Sequence, residues 1–159
     1  MADHYLDQIG GRSESSRSLD VATEHLNGVY QTAQGSVTVD AALGDTVGLF
    51  PVPSHATLSH ALSHVRWTAL GTGATGDIGF AAKGDYAGDP DALAAGVDMA
   101  AAGSGALLTG LGPADVGKKV WQLAGMAKDP GGDLWVTLTF GGANPNSGTI
   151  AVEQAFVAK

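Results

Sequence analysis

Between Ala56 and Leu70 the even positions carry Leu58, His60, Leu62, His64 and Arg66, while the odd ones carry Thr57, Ser59, Ala61, Ser63, Val65 and Trp67. A period of two predicts a strand, because successive side chains of a pleated strand face opposite sides. Just before it, Asp45 to Phe50 is a β-rich run stopped by Pro51 and Pro53, which cannot donate a ladder hydrogen bond. Gly71 to Gly76 is expected to be a loop, with the next strand starting at Ile78. The clearest strand is Asp133 to Phe140, with Leu134, Val136, Leu138 and Phe140 on one face and Trp135, Thr137 and Thr139 on the other. Thr149 to Val157 reads as a closing strand and Val37 to Val39 as a short early one. Lys118 to Ala124 also alternates, Val120 and Gln122 against Lys119, Trp121 and Leu123. From Ala92 to Ala102 propensity favours a short helix, with Asp89 or Asp91 as its cap and Pro90 in its first turn, but Gly96 and Gly103 weaken it.

These runs fall at strand-like spacing with turn signals between them, such as Asp129-Pro-Gly-Gly132 and Asn144-Pro-Asn-Ser147. The fold expected is all-β: an antiparallel β-sandwich, jelly-roll-like, of about eight strands with an extended N-terminal arm. Residues 1–35 form the arm and 36–159 the sandwich domain. The arm holds Ser13, Ser15, Ser16 and Ser18 among Arg12, Glu14, Arg17 and Asp20, and such a segment buries too little apolar surface to offset its ordering entropy. It is either a disordered tail or an arm that orders against a neighbour. Tyr5, Leu6, Ile9, Leu19, Val21, Leu26, Val29 and Tyr30 are the anchors for the second case, and all of these but Val29 are the candidate interface residues.

Composition narrows the function more than it defines it. The chain has 159 residues, 24 of them glycine, with few aromatics (6%) and few charges (15%), a mixture that suits a turn-rich sandwich better than a helical bundle. A formal charge of −8, with eight Lys and Arg in all, argues against a nucleic-acid surface. There is no cysteine, so disulfides and thiolate metal sites are excluded. No apolar run approaches the roughly 18 residues needed to span a bilayer, and the start Met-Ala-Asp-His-Tyr lacks a signal peptide's basic and apolar regions. A soluble protein made in a cytoplasm is the expectation.

The candidate chemistry is thin. His60 and His64 share a strand face, but two pleat repeats separate them by about 13 Å, too far for one ion; His55 sits at a turn. Asp85, Asp89 and Asp91 form an acidic loop without the spacing or the bidentate glutamate of a calcium loop. Ser104 lies in Gly-Ser-Gly, which is not a nucleophile elbow, and the glycine clusters lack the lysine of a phosphate loop. Three glutamates, two of them in the arm, do not suggest a paired-carboxylate site. No catalytic, metal or cofactor-binding residue is assigned, and no enzyme activity is expected. Trp67, Trp121 and Trp135 are read as core or subunit-interface residues, with sugar stacking as the alternative.

One resemblance adds to this reading. The run Gly44-Asp-Thr-Val-Gly-Leu-Phe-Pro-Val-Pro-Ser-His-Ala-Thr-Leu58 is similar to the opening strands of small structural proteins of tailed bacteriophages. Ile78-Gly-Phe80, Asp91-Ala-Leu-Ala-Ala-Gly-Val-Asp98, Lys118-Lys-Val-Trp-Gln-Leu-Ala-Gly125, Asp129-Pro-Gly-Gly132 and Gly148-Thr-Ile-Ala-Val-Glu-Gln-Ala-Phe-Val157 follow in similar order and spacing. Over roughly residues 37–157 the chain resembles head decoration (cement) proteins of the jelly-roll type. The resemblance implies a virion structural protein made in the host cytoplasm and placed on the capsid exterior. It would assemble as a homotrimer, bind the major capsid protein and bridge capsomers, with no cofactor, nucleic-acid or membrane partner. A tail or head-completion subunit and a carbohydrate-binding jelly-roll module are the alternatives.

Overall fold

The computed structural model describes residues 30–39 and 42–158. Nine strands run in order: β1 (Tyr30–Val39), β2 (Thr46–Pro53), β3 (Thr57–Leu58), β4 (His64–Trp67), β5 (Ala74–Phe80), β6 (Asp89–Asp98), β7 (Gly103–Ala106), β8 (Asp133–Gly142) and β9 (Gly148–Val157). A 3₁₀ turn (Pro113–Asp115) and one helical turn, α1 (Val120–Leu123), lie between β7 and β8. The first sheet has the order β1-β9-β4-β7, with β3 also on β9; the second has the order β2-β8-β5-β6. Every pairing is antiparallel. The fold is thus the expected all-β sandwich. Leaving out two-residue β3, the pairs β1·β9, β2·β8, β4·β7 and β5·β6 nest like a chain folded double and wrapped, the strand pairing of a jelly roll.

The alternation in β8 and β9 drives this arrangement. Leu134, Val136, Leu138 and Phe140 of β8 and Ile150, Val152 and Phe156 of β9 are buried between the sheets. Along one side β1 and β2 come close, and a Cβ at Gly35 would lie 3.5 Å from the carbonyl oxygen of Leu49, where β2 shifts register. At the opposite side β6 is the edge of the second sheet. Pro90, Gly96 in the left-handed region (φ 62°) and two register shifts against β5 interrupt its ladder, features that blunt edge-to-edge pairing.

Five local expectations are corrected. The strand expected over 56–70 is two short ones, because the Ser63 hydroxyl donates to the Ser59 carbonyl at 2.5 Å and closes a turn. Leu62 is therefore exposed, not in the core. The helix weighed for 92–102 is instead β6 and the turn after it; Leu93 and Ala94 are buried against the second sheet, so pairing with β5 overrides alanine's helix propensity. Lys118 to Ala124 is not a strand: the Gln122 side chain accepts from the Lys119 amide at 2.9 Å and caps α1. The loop expected over 71–76 ends early, since β5 starts at Ala74. Finally, β1 begins at Tyr30 and runs ten residues, so residues 30–35 are strand within the segment expected as arm.

The connections gather at two ends. At one, the amide of Leu43 donates to Asn144 Oδ1 (2.8 Å) and that of Asn146 to the Leu70 carbonyl (2.7 Å). At the other, α1 is tied to the β2–β3 connection by Val120 N–H to Ala56 O (2.8 Å) and Trp121 N–H to Ser54 O (3.0 Å). Tyr30, where the described chain begins, pairs with Val157 at this second end.

Candidate interaction surfaces

The outer face of the first sheet is built by register. Ala106 of β7, His64 of β4, Glu153 of β9 and Gln34 of β1 lie side by side, and Ser104, Arg66, Ala151 and Ser36 form the next row. All eight side chains are exposed. With Ala151 and Gly35 so small, the face dips into a shallow hollow of about 410 Å³ walled by His64 and Arg66 on one side and Gln34 and Ser36 on the other. Gln34 Nε2 donates to Glu153 Oε1 at 3.2 Å, so the carboxylate leans toward β1. Arg66 stands diagonally across from it on β4. Among the described residues the ion pair present is Lys118 to Asp115 at 2.8 Å, which leaves Arg66 without an acidic partner there.

The outer face of the second sheet carries Asp133 opposite Pro53, Asp77 opposite Thr139 and Asp98 opposite Thr75. Trp135 is 50% exposed and opposes Pro51 across the β2–β8 pair. Its ring abuts Gly48, where a Cβ would lie 3.3 Å from Cε3. Thr46 and Thr139 follow along the same face, their hydroxyls 2.9 Å apart. The other two tryptophans are half-buried. Trp67 donates from Nε1 to the Ala101 carbonyl at 2.8 Å, and its ring covers Gly103 and Gly105 at the rim of the core. The Gly-Ser-Gly segment is therefore a ledge for an indole, with Ser104 pointing outward. Trp67 matches the core reading, whereas Trp135 is a surface residue.

The titratable candidates do not converge. His60 is in the turn before β4 and His64 in β4, and no three His, Asp or Glu side chains among the described residues are placed to hold a metal ion. Burial raises the Asp89 carboxyl, and a hydrogen bond with the Asp91 side chain raises it further. Burial also pushes the Tyr86 hydroxyl up to about 12, with the Asp89 charge adding to the effect, and that hydroxyl has no hydrogen-bond partner among the described residues. Asp129 is held below its ordinary value by the Ser54 hydroxyl (2.5 Å) and then by the Gly131 amide (2.9 Å). Asp115 is lowered by Lys118 and then by the Gly112 amide.

Of the candidate interface residues, Tyr5, Leu6, Ile9, Leu19, Val21 and Leu26 lie outside the described residues; Tyr30 is the first residue of β1. Two features escaped the sequence reading. One is the placement of Arg66 and Glu153 as diagonal neighbours on one face, which needs the β4–β9 register to be seen. The other is a buried polar pair, Ser63 and Gln154, of which only the glutamine among apolar neighbours of β9 gave a signal.

A chain of the cyanophage Pam1 capsid asymmetric unit has a similar structure, with a TM-score of 0.50 at 13% identity, over 83% of this chain and 86% of that one. At this identity the likeness is one of fold. No family model matches the sequence, and no curated protein matches it.

Proposed function

We propose that the chain is a structural protein of a bacteriophage virion that decorates the capsid exterior and stabilises it by bridging capsomers. The observation that carries this reading is the fold likeness to a chain of the Pam1 capsid asymmetric unit. The two coverages are high and nearly equal, so the likeness extends over most of both chains and the two are of similar length. A jelly-roll sandwich suits the task, because its sheet faces and loop ends offer several separate contact surfaces to a symmetric shell. A net charge of −8 also keeps such a protein from competing for packaged nucleic acid.

In this reading the major capsid protein is the partner, and residues 1–29 and the sandwich edges make the contacts. The test is co-sedimentation with capsids of the encoding phage from which the outer proteins have been removed. The full chain should pellet with them and raise their heat resistance. Binding untouched by deletion of residues 1–29 and by charge insertions on β6 and β7 would refute the bridging role. Trp135 supports a second reading, a sugar-binding jelly roll, since an exposed indole offers a stacking face. Glycan-array binding without capsid binding would favour it.

A further inference from the structure

We infer that the outer face of the first sheet is a self-complementary surface on which a second copy of this chain docks about a two-fold axis, Arg66 of each copy meeting Glu153 of the other. An isologous contact requires that one patch carry both members of each pair. This face does. Arg66 and Glu153 are diagonal neighbours, since Arg66 is opposite Ala151 and His64 is opposite Glu153 in the β4–β9 register. They form no ion pair with each other. Glu153 turns to Gln34 instead, which leaves the hollow between them and keeps a guanidinium and a carboxylate available on the same plane. An axis lying in that plane, perpendicular to the line joining the two, brings both pairs together at once.

The surrounding side chains permit the approach. Ser104, Ala106, Ala151 and Ser36 are small, so apart from Arg66 and Glu153 themselves only His64 and Gln34 rise from the face. An acidic chain with 16 carboxylates against eight basic groups repels itself over most of its surface. Docking is therefore confined to a patch where an arginine without an acidic partner among the described residues lies beside a glutamate. The ten-residue strands β1 and β9 and the four-residue strands β4 and β7 give roughly 450 Å² per copy, from about 3.3 Å per residue and 4.8 Å per strand. That is below the standard size of a stable interface, so the contact is weak, concentration-dependent and salt-sensitive.

Sedimentation velocity on the full chain, across concentration and at low and high salt, tests this. The expected result is an even-numbered assembly, a dimer of single chains or a pair of the trimers that the resemblance implies, which dissociates in high salt. Arg66→Glu and Glu153→Arg should each weaken it by about tenfold or more, and the double variant should restore it. Both side chains are exposed, so folding survives, and the milder Arg66→Gln and Glu153→Gln should weaken association in the same direction. A chain monomeric at its highest soluble concentration overturns the inference. So does an assembly indifferent to both single reversals, or a double reversal that restores nothing.

Discussion

Gln154 Nε2 donates to the Ser63 hydroxyl oxygen at 2.7 Å, joining β9 to the turn before β4, and both side chains are fully buried. The same hydroxyl accepts from the Ala155 amide (3.3 Å) and donates to the Ser59 carbonyl (2.5 Å), so one oxygen serves three partners. Losing a partner inside a dry core costs the desolvation of whatever is left unpaired. Ser63→Ala should therefore lower stability by about 2 kcal/mol, read as a reduced urea midpoint at unchanged slope. Adding Gln154→Leu to that variant should recover part of the loss, because it removes a buried amide left with the Ala155 carbonyl as its one partner among the described residues. A fully additive double variant would mean that the two side chains are not coupled.

Gly103 is fixed by Trp67. A Cβ there would sit 2.8 Å from Cζ2 of an indole that its own hydrogen bond to Ala101 holds in place. Gly103→Ala should cost about 1–3 kcal/mol through overpacking. Combining it with Trp67→Phe, a smaller ring, should recover part of that cost. Chemical denaturation of the four proteins of the cycle measures the coupling, and its absence would remove the steric explanation.

The sequence was legible where alternation and burial coincide. In β8 every second residue is apolar and faces the opposite sheet, and in β9 Ile150, Val152 and Phe156 do so with Gln154 as the polar exception, so local pattern and tertiary packing largely agree. It misled where a few polar contacts override the pattern. The strand reading of 56–70 failed at Ser63, whose hydroxyl closes a turn that periodicity cannot register. Alanine propensity at 92–102 lost to the β5 edge, and a glutamine cap turned the alternation at 118–124 into α1. The surface was less legible still. Arg66 and Glu153 are far apart along the chain, and only the β4–β9 register makes them neighbours.

Asp89 and Asp129 should give pH dependences of opposite sign. The folded-state value of Asp89 is raised above its ordinary 3.8 by burial and then by Asp91. Its contribution is therefore fully present below about pH 4 and is lost as pH rises through the raised value. Asp89→Asn, which stays neutral, should be more stable than the parent at pH 7, and the advantage should vanish in acid. Asp129 is lowered, so its contribution is present above 3.8 and is lost as pH falls through the depressed value. Asp129→Asn should thus be less stable at pH 7, with the gap closing in acid. Melting temperatures from pH 2.5 to 7.5 decide both, and parallel curves for parent and variants would contradict the assignments.

Trp135 tests the contact surfaces directly. It is half exposed on the outer face of the second sheet, while Trp67 and Trp121 are half-buried and Trp67 is also hydrogen-bonded. Acrylamide should therefore quench the three indoles unequally, and Trp135→Phe should remove the most accessible part of the emission. The same change should alter stability by less than about 1 kcal/mol, because the face is not core. Exposed tryptophans are frequent anchors of protein contacts, where truncation costs about 2 kcal/mol or more. If this face seats on a capsid, adding capsids should protect Trp135 from quenching, and Trp135→Ala should weaken co-sedimentation by about tenfold or more. Soluble oligosaccharides should leave the emission unchanged. Protection by a sugar but not by capsids would reverse the order of the two functional readings. Full accessibility in the bound state would move the capsid contact to another surface of the sandwich.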